Sequence, residues 1–331
     1  MAEPTAAPPW LREPHLAAQK YAEAAAAAAM ACAEDTKGQT CYICTEALHW
    51  KTKEGLVRGC ACRGTAGFAH VSCLAEQAKI LVAEAEENNL DDKVLGERWN
   101  RWFTCSLCEQ HYHGVVFCAL GWACWRTYVG RPEADNAQLD AMNVLGAGLS
   151  GANRYEDALS VQEAELSMRR RLGDLEANML GVQGNLARTY RALERFEQAL
   201  SLRRAVYSAS LRLFGMDSRD SLIEGNGVAN LLNDLKSFKE AKSLLRKIIP
   251  VAQRLLGESD ERTIAMRMTY ATALYDDKGA TLDDLREAVT TLEDVERTAR
   301  RVFGGAHPLT VKIERDLQKV RAALLKRVGK Q

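Results

Sequence analysis

Four closely spaced pairs of cysteine and histidine constrain this 331-residue chain more than any other feature of its sequence. All four pairs lie between residues 41 and 108, and one or two residues separate the members of each: Cys41 and Cys44, Cys60 and Cys62, His70 and Cys73, Cys105 and Cys108. Sulfur and imidazole suit zinc better than calcium or magnesium, which prefer oxygen. Because eight such donors complete two tetrahedra, the sequence predicts two zinc ions in closed, structural sites.

The remaining cysteines and the nearby histidines are interpreted differently. Cys118 and Cys124 lie in the apolar run "GVVFCALGWACW" and are predicted to be core residues, while Cys32 has no neighbouring donor. His111 and His113 follow a pair that is already complete, so they remain only as spare donors. All 10 cysteines lie within the first 124 residues, and no secretory signal is evident. This distribution favours metal binding in a reducing compartment over a disulfide framework.

Charge and apolar length exclude several classes of function. The chain has 44 basic and 44 acidic residues, so no overall basic field directs it toward nucleic acid or a membrane surface. Its strongest apolar run has 12 residues, whereas a membrane span needs ~20. We therefore expect a soluble protein without signal peptide or transmembrane helix, located in the cytoplasm with the nucleus as the other option, and no nucleic-acid or membrane partner.

The second half of the chain repeats itself. The segments "NRYEDALSVQEAELSMRRRLG", "ERFEQALSLRRAVYSASLRLFG" and "KSFKEAKSLLRKIIPVAQRLLG" align, and their terminal glycines Gly173, Gly215 and Gly257 are 42 residues apart. A fixed period of this size, long enough for two helices, indicates an α-solenoid. Gly130 and Gly304 extend the series, and each glycine is predicted to end a helix with a positive φ.

Helix starts are expected after these glycines. Ser221 and Glu224 in "SLIE" form a predicted capping box, and Thr263 and Thr310 occupy the same phase of the repeat as Ser221. The last segment, "TVKIERDLQKVRAALLKRV", is strongly charged on one side. It is predicted to be the solvated cap that the end of a solenoid requires.

The ligand order Cys-Cys-Cys-Cys-His-Cys-Cys-Cys is shared by the RING-CH finger of ubiquitin ligases and the PHD finger, which often reads histone tails. The Cys60-x-Cys62 pair and the seven residues between Cys62 and His70 resemble the RING-CH finger. Phe103, two residues before Cys105, keeps the PHD finger as an alternative. The RING-CH resemblance implies an interleaved cross-brace with this assignment: Cys41, Cys44, His70 and Cys73 hold one zinc, and Cys60, Cys62, Cys105 and Cys108 hold the other.

The segment "NLARTYRALERFEQAL" resembles a tetratricopeptide repeat, and the 42-residue period with "GGAHPLT" near the end resembles the kinesin-light-chain type. This resemblance covers about residues 114 to 328. It implies that the first helix of each unit lines a groove for a protein or peptide. The candidate groove residues are Asn185, Arg188, Asn230 and Thr272.

These features together predict a mostly α-helical fold, in which a small cross-brace zinc finger precedes an α-solenoid of tetratricopeptide-like hairpins. Residues 1–38 form an Ala-rich N-terminal helix or flexible segment. Residues 39–112 form the finger, whose 31 residues between Cys73 and Cys105 are expected to include a long helix. Residues 113–331 form the solenoid and its capping helix.

The resemblance to RING-CH proteins implies a ubiquitin ligase. Its finger would recruit a charged ubiquitin-conjugating enzyme through Ile43 and, more weakly, Trp102, while the repeats bind an unidentified protein or peptide substrate. No catalytic residue is predicted, because such a ligase contributes proximity and orientation and has no nucleophile of its own. The alternative is a non-catalytic, zinc-stapled interaction adaptor or a PHD-like peptide reader.

Glu109 departs from the family at the position that follows the last zinc ligand. Many active RING-type ligases carry a basic residue there, which donates hydrogen bonds to both the conjugating enzyme and ubiquitin. A carboxylate accepts hydrogen bonds and cannot donate them. We therefore expect weak intrinsic transfer of ubiquitin by this chain.

Overall fold

The computed structural model describes residues 8–62, 64–305 and 307–329. Within these ranges the fold is mostly α-helical, and its only β-type pairings are two isolated bridges. The helices are α1 Pro14–Ala31, α2 Val71–Glu87, α3 Asp92–Trp99, α4 Gly114–Tyr128, α5 Asn136–Gly151, α6 Tyr155–Leu172, α7 Glu176–Ala192, α8 Phe196–Phe214, α9 Arg219–Asp234, α10 Phe238–Leu256, α11 Glu261–Tyr275, α12 Leu282–Phe303 and α13 Pro308–Val328. The predicted fold class is confirmed.

The chain divides into two compact units, the first ending at Leu175 and the second beginning at Glu176. The first unit contains the cysteine-rich segment and helices α1 to α6. The second contains helices α7 to α13. None of the described helices combines the length and the apolarity that crossing a lipid bilayer requires.

In the first unit, α1 packs along α4, although more than eighty residues separate them in sequence. The buried residues of α1 are mostly alanines at intervals of about one helical turn: Ala17, Tyr21, Ala25 and Ala28. Small side chains at this spacing allow two helices to approach closely. The cysteine-rich segment therefore lies, in sequence, between two helices that pack on each other. The N-terminal helix is part of the folded unit.

Helix α4 is the most buried helix of the first unit. Trp122 and Trp125 are at most 1% exposed. The indole N–H of Trp125 donates to the backbone carbonyl of Trp10 over 3.4 Å, which ties the start of the described chain to α4. Cys118 and Cys124 are also buried in this helix, which confirms their assignment to the core.

The second unit consists of the helical hairpins α7–α8, α9–α10 and α11–α12, with α13 packed on α12. Gly215, Gly257 and Gly304 follow the second helices with φ values of 76°, 90° and 86°. In the first unit, Gly173 follows α6 with a φ of 67°. The prediction is wrong for Gly130, whose φ is not positive, because Val129 ends α4 in a right-handed conformation.

The predicted capping box at Ser221 is also wrong. Ser218 is the N-cap of α9, and Ser221 is the third residue of the helix, with no exposed surface. Thr263 and Thr310 are equally buried third residues of α11 and α13. In each helix the first two residues are exposed or half-buried and the third faces the interior, which favours a small side chain at that position. The capping box that does form, Thr281 with Asp284 at the start of α12, was not predicted.

Candidate metal centre and partner surface

Loops and one helix start bring the eight predicted donors together. Cys41 and Cys44 lie in a turn, His70 is the N-cap of α2, and Cys73 lies in the first turn of that helix. The donor atoms form two clusters, within each of which all atoms lie within 4.8 Å of one another: Cys41, Cys44, His70 and Cys73, and Cys60, Cys62, Cys105 and Cys108. This interleaved grouping is the one that the RING-CH resemblance implies.

The separations between donors fit zinc. Bonds of about 2.3 Å to sulfur and about 2.0 Å to nitrogen place two sulfurs about 3.8 Å apart in a tetrahedron, and a sulfur about 3.5 Å from a nitrogen. The Sγ atoms of Cys62 and Cys105 are 3.8 Å apart. His70 Nδ1 lies 3.4 Å from Cys44 Sγ and 3.6 Å from Cys73 Sγ. Each cluster can therefore hold one zinc ion as a closed, structural site.

The structure assigns the coordinating nitrogen of His70. Nδ1 faces the thiols, whereas Nε2 lies 3.4 Å from the carbonyl oxygen of Ala47, to which it can donate. A hydrogen bond from the second ring nitrogen to a backbone carbonyl orients many metal-binding histidines. Burial lowers the pKa of His70, which favours the neutral ring that metal coordination needs.

The two Cys-x-x-Cys turns have the same local geometry. Backbone N–H groups of Ile43 and Leu107 donate over 3.4 Å to Cys41 Sγ and Cys105 Sγ, respectively. The residue after the second cysteine has a positive φ in both turns, 65° at Thr45 and 55° at Glu109. N–H groups that point at sulfur stabilise the thiolate form that binds metal.

The cluster that contains Cys60 and Cys62 leaves no room for a side chain at position 67, which is a glycine. Its φ of +83° is a conformation that side chains disfavour, and a Cβ atom there would lie 2.5 Å from Cys62 Cβ and 3.3 Å from Cys60 Sγ. The glycine in "RGTAGFA" is thus explained by the close approach of the backbone to the donor sulfurs.

Glu54 connects the finger to the helical pair, and sequence reasoning missed it. Its carboxylate accepts a hydrogen bond from the Tyr21 hydroxyl of α1 over 2.7 Å and from the Ser72 N–H of α2 over 3.0 Å. The Arg126 guanidinium of α4 lies 3.8 Å from the centroid of the Tyr21 ring. Burial, and secondly Glu54, raise the pKa of Tyr21, so its hydroxyl remains a donor. No local pattern marks Glu54, because its partners are distant in sequence.

A second contact between the finger and the N-terminal part is formed by Arg58. Its guanidinium pairs with both carboxylate oxygens of Asp35, at 2.9 and 2.6 Å. It also donates to the carbonyl of Gly64 over 2.9 Å and lies 4.4 Å from the centroid of the Phe68 ring. One arginine thus joins the loop that follows α1 to the loop between the zinc ligands.

The two predicted contact residues for a conjugating enzyme are placed differently. Ile43 is 38% exposed and available to a partner. Trp102 is fully buried, and its ring packs edge-on against Tyr128 with centroids 6.1 Å apart, so it cannot form a partner surface and that prediction is corrected. Leu48 and Trp50 were not predicted, yet they are 59% and 67% exposed in the loop after the first cysteine pair.

Glu109 is paired within the finger. Its two carboxylate oxygens accept hydrogen bonds of 3.1 Å from the two terminal nitrogens of Arg101. Glu109 and Arg101 therefore form an ion pair in which both side chains are partly exposed to solvent. His111 and His113 are not among the donors of either cluster that the described residues form.

The predicted groove residues all lie on first helices of the second unit, Asn185 and Arg188 on α7, Asn230 on α9 and Thr272 on α11. Arg188 is exposed, and the other three are half-buried. The Asn230 side chain donates to the Asn226 carbonyl over 3.0 Å, and the Thr272 hydroxyl donates to the Met268 carbonyl over 3.1 Å. Their role in binding stays a prediction.

The fold and the site thus define a protein in which a finger with two interleaved donor clusters, each able to hold zinc, precedes helical repeats. Comparison with protein families identifies both parts: residues 41–90 match the RING-variant domain, and residues 226–261 match a tetratricopeptide repeat. The chain therefore carries a RING-variant domain followed by tetratricopeptide repeats. None of the curated proteins matches the sequence.

Similar solved structures include a Podosopora anserina putative kinesin light chain with nearly identical TPR-like repeats. It is 16% identical, with a TM-score of 0.43, and the match covers 70% of this chain and 97% of that one. BtubC (BKLC) from P. vanneervenii is 17% identical, with a TM-score of 0.42, over 78% of this chain and 90% of its own. Likeness at this level carries no inference about function.

Proposed function

We propose that this protein is a RING-type ubiquitin ligase. Its finger recruits a ubiquitin-conjugating enzyme that carries ubiquitin as a thioester, and its helical repeats bind the protein substrate. We take the finger to span residues 39–112 and the repeats to span residues 113–331, after an N-terminal segment of residues 1–38. A reducing compartment, the cytoplasm or the nucleus, fits this function because zinc-binding thiols must stay reduced.

The observation that carries the proposal is the interleaving of two complete donor clusters. The RING-variant match at residues 41–90 includes six of the eight donors, and the structure adds Cys105 and Cys108 to the second cluster. With four protein donors each, the clusters leave no open position for a water or a substrate. Zinc would therefore supply cross-links that hold the loops in place. The chain's contribution to transfer is to bind and orient the charged conjugating enzyme.

Two of the three cysteines outside the clusters, Cys118 and Cys124, are poor candidates for a nucleophile because both are buried. Burial raises the pKa of Cys118 to about 11 and raises that of Cys124 well above its ordinary value. Only the thiolate attacks a thioester, so both thiols are inert at neutral pH. A mechanism in which ubiquitin is first passed to Cys118 or Cys124 is therefore disfavoured.

The finger offers an apolar surface for the conjugating enzyme. Ile43 and Leu107 occupy the same position in the two Cys-x-x-Cys turns and are 38% and 51% exposed, while Leu48 and Trp50 are still more exposed. A surface on which such side chains are contiguous marks an interaction site. We assign Ile43, Leu48, Trp50 and Leu107 to the contact with the conjugating enzyme.

The test is a transfer assay with purified protein and a panel of conjugating enzymes charged with ubiquitin. We expect faster discharge of the thioester to free lysine, and self-ubiquitination, with at least one member of the panel. Ile43→Ala should reduce discharge about tenfold, which corresponds to roughly 1.4 kcal/mol of binding or orientation. Val115→Ala is the matched control, because Val115 on α4 is 39% exposed and also aliphatic.

The alternative, a PHD-like reader or a non-catalytic adaptor, predicts a different result. Such a protein would bind histone-tail peptides or other proteins and would leave every thioester in the panel unchanged. Absence of discharge together with capture of histone-tail peptides would overturn the ligase proposal. On the substrate side, substitution of Arg188 by Ala should weaken binding of a substrate in the groove without affecting discharge to free lysine.

A further inference from the structure

Lysine and arginine are distributed very unevenly along this chain. Residues 94–235 contain 15 arginines and no lysine, whereas the rest of the chain contains 15 lysines and 14 arginines. The lysine-free span begins in α3 and includes the last pair of zinc ligands and helices α4 to α9. It ends at Lys236, the first of four lysines within twelve residues.

Geometry explains part of the preference for arginine. Arg131 uses both terminal nitrogens on the carboxylate of Glu86, at 2.8 and 2.9 Å. The nearly buried Arg169 donates to three different carboxylates. The planar guanidinium suits such contacts better than an ammonium group, so lysine would be a poor replacement at these positions.

Geometry does not explain the exposed arginines of the span. Arg171, Arg204 and Arg212 are 59%, 52% and 64% exposed, and each donates through one terminal nitrogen to one exposed carboxylate. An ammonium group makes a single bond of this kind equally well. Outside the span the chain does use lysine for it, as in the 2.7 Å pair of Lys20 with Glu23.

The two cations differ in their chemistry toward a ubiquitin thioester. The neutral amine of lysine attacks the thioester carbonyl, and a C–N bond forms as the C–S bond breaks. The sulfur of the conjugating enzyme leaves as a thiolate, and the nitrogen gives up a proton to that thiolate or to water. A guanidinium has a pKa above about 12 and stays protonated, so arginine does not take part in this reaction.

We propose that residues 94–235 are kept free of ubiquitin acceptors, so that self-modification of this ligase falls only on lysines that flank the span. The inference rests on the proposed ligase function and deepens it. Ubiquitin attached within the span would obstruct the last pair of zinc ligands of the finger, Cys105 and Cys108, or the first helices α7 and α9 that the repeats of the second unit offer to a substrate. Exposed amines remain available outside it, among them Lys239 and Lys247 of α10.

The experiment introduces acceptors into the span. The variant Arg171→Lys, Arg204→Lys, Arg212→Lys keeps the charge and one donor at each position. Wild type and variant are incubated with activating enzyme, an active conjugating enzyme, ubiquitin and ATP, and the modified lysines are mapped by mass spectrometry. We expect the wild type to be modified at lysines that flank the span, and the variant to be modified in addition at one or more of the three introduced lysines.

The matched control is Arg254→Lys, which lies outside the span, is 66% exposed and pairs with a single carboxylate, that of Asp217. Zinc content and helical signal should be unchanged in every variant. If the wild type discharges thioester to free lysine but the three introduced lysines stay unmodified, this inference is overturned and the ligase function stands. If the wild type discharges no thioester, the proposed function fails and the inference fails with it.

Discussion

At the scale of single residues, Glu109, which follows the last zinc ligand, forms an ion pair with Arg101, and this pairing affects which groups at that position can contact a partner. The carboxylate is neutralised by a guanidinium that approaches with both terminal nitrogens. Because the guanidinium donates to Glu109, fewer of its N–H groups are free for a conjugating enzyme or ubiquitin. The resemblance to RING-type ligases implies an unpaired basic side chain directly after the last zinc ligand. In this chain an ion pair lies there instead.

We predict that Glu109→Arg raises self-ubiquitination several-fold without changing zinc content, because Arg101 would repel the new side chain toward the partner. Thr45→Arg is the control, since Thr45 occupies the same position in the other zinc turn and has a similar φ of 65°. Initial rates of discharge to free lysine, together with metal analysis, measure the effect. Equal rates for the wild type and Glu109→Arg would show that the missing cation does not limit transfer.

A buried ion cluster in the first unit couples stability to pH. Glu165 is fully buried, and Arg169 donates to its Oε1 over 2.9 Å while also pairing with Asp140 and Asp174. The other oxygen, Oε2, has no hydrogen-bond partner among the described residues. Burial raises the pKa of Glu165 to about 7, and the nearby Asp140 also raises it, although Arg169 and Asn143 lower it.

Since the folded state holds a proton on Glu165 that the unfolded state loses above about pH 4.5, its contribution to stability is lost as pH rises toward about 7. The loss is at most about 1.4 kcal/mol per pH unit. We predict that Glu165→Gln, which resembles the protonated side chain, is more stable than the wild type at pH 8 by roughly 1–2 kcal/mol and similar at pH 5. Urea unfolding at both pH values tests this, with Glu163→Gln on the same helix as control for the loss of one charge.

At the scale of secondary-structure elements, the pairing of α1 with α4 is the organising contact of the first unit. Trp10 packs edge-on against Trp122 with ring centroids 5.1 Å apart, and Tyr21 contacts both Arg126 and Glu54. The N-terminal helix therefore supports the apolar helix α4 and the loop that precedes the zinc-binding helix α2. Loss of α1 from this position would expose apolar surface of α4.

Two neighbouring alanines of α1 allow a matched test. Ala28 is fully buried, whereas Ala27 is exposed. We predict that Ala28→Asp displaces α1, because an unpaired carboxylate would be buried, and destabilises the first unit by more than about 3 kcal/mol. Ala27→Asp should cost less than about 1 kcal/mol. Tryptophan fluorescence during unfolding and proteolysis within α1 distinguish the two variants, and equal behaviour would contradict the packing.

At the scale of the whole molecule, the two units differ in what stabilises them. The first contains two donor clusters that could each hold zinc, in addition to an apolar core that includes Trp102, Trp122 and Trp125. The second is built from helical hairpins that pack on their neighbours. In helical repeats each contact is made with an adjacent repeat, so damage elsewhere in the chain need not unfold them. Metal binding should therefore affect the units unequally.

We predict two zinc ions per wild-type chain, and loss of at least one of them in Cys62→Ser. Structural zinc contributes ~10–16 kcal/mol in small peptides, which is comparable to the stability of a whole domain. The finger should therefore unfold, while the helices from Glu176 onward keep their circular dichroism signal and resist proteolysis. Cys32→Ser, which removes a cysteine outside both clusters, should retain two ions. One ion or none in the wild type would contradict the two-site arrangement.

What the sequence by itself determined was local. The eight donors could be found because metal ligands must be of a few types and must come in close pairs, and the repeats could be found because identical hairpins recur at a fixed interval. The positive φ values at Gly173, Gly215, Gly257 and Gly304 followed from the same periodicity, since only glycine adopts them without strain.

The tertiary structure alone decided which distant elements meet. Nothing in the local pattern of α1 indicates that it packs on α4, that Glu54 joins Tyr21 to Ser72, or that Trp102 is buried instead of exposed. In the sequence, the buried Ser221 cannot be distinguished from an N-cap residue, because a small polar side chain suits both a buried helical position and an N-cap. Such contacts depend on long-range packing, in which the partner of each side chain is set by the arrangement of the whole unit and not by its neighbours along the chain.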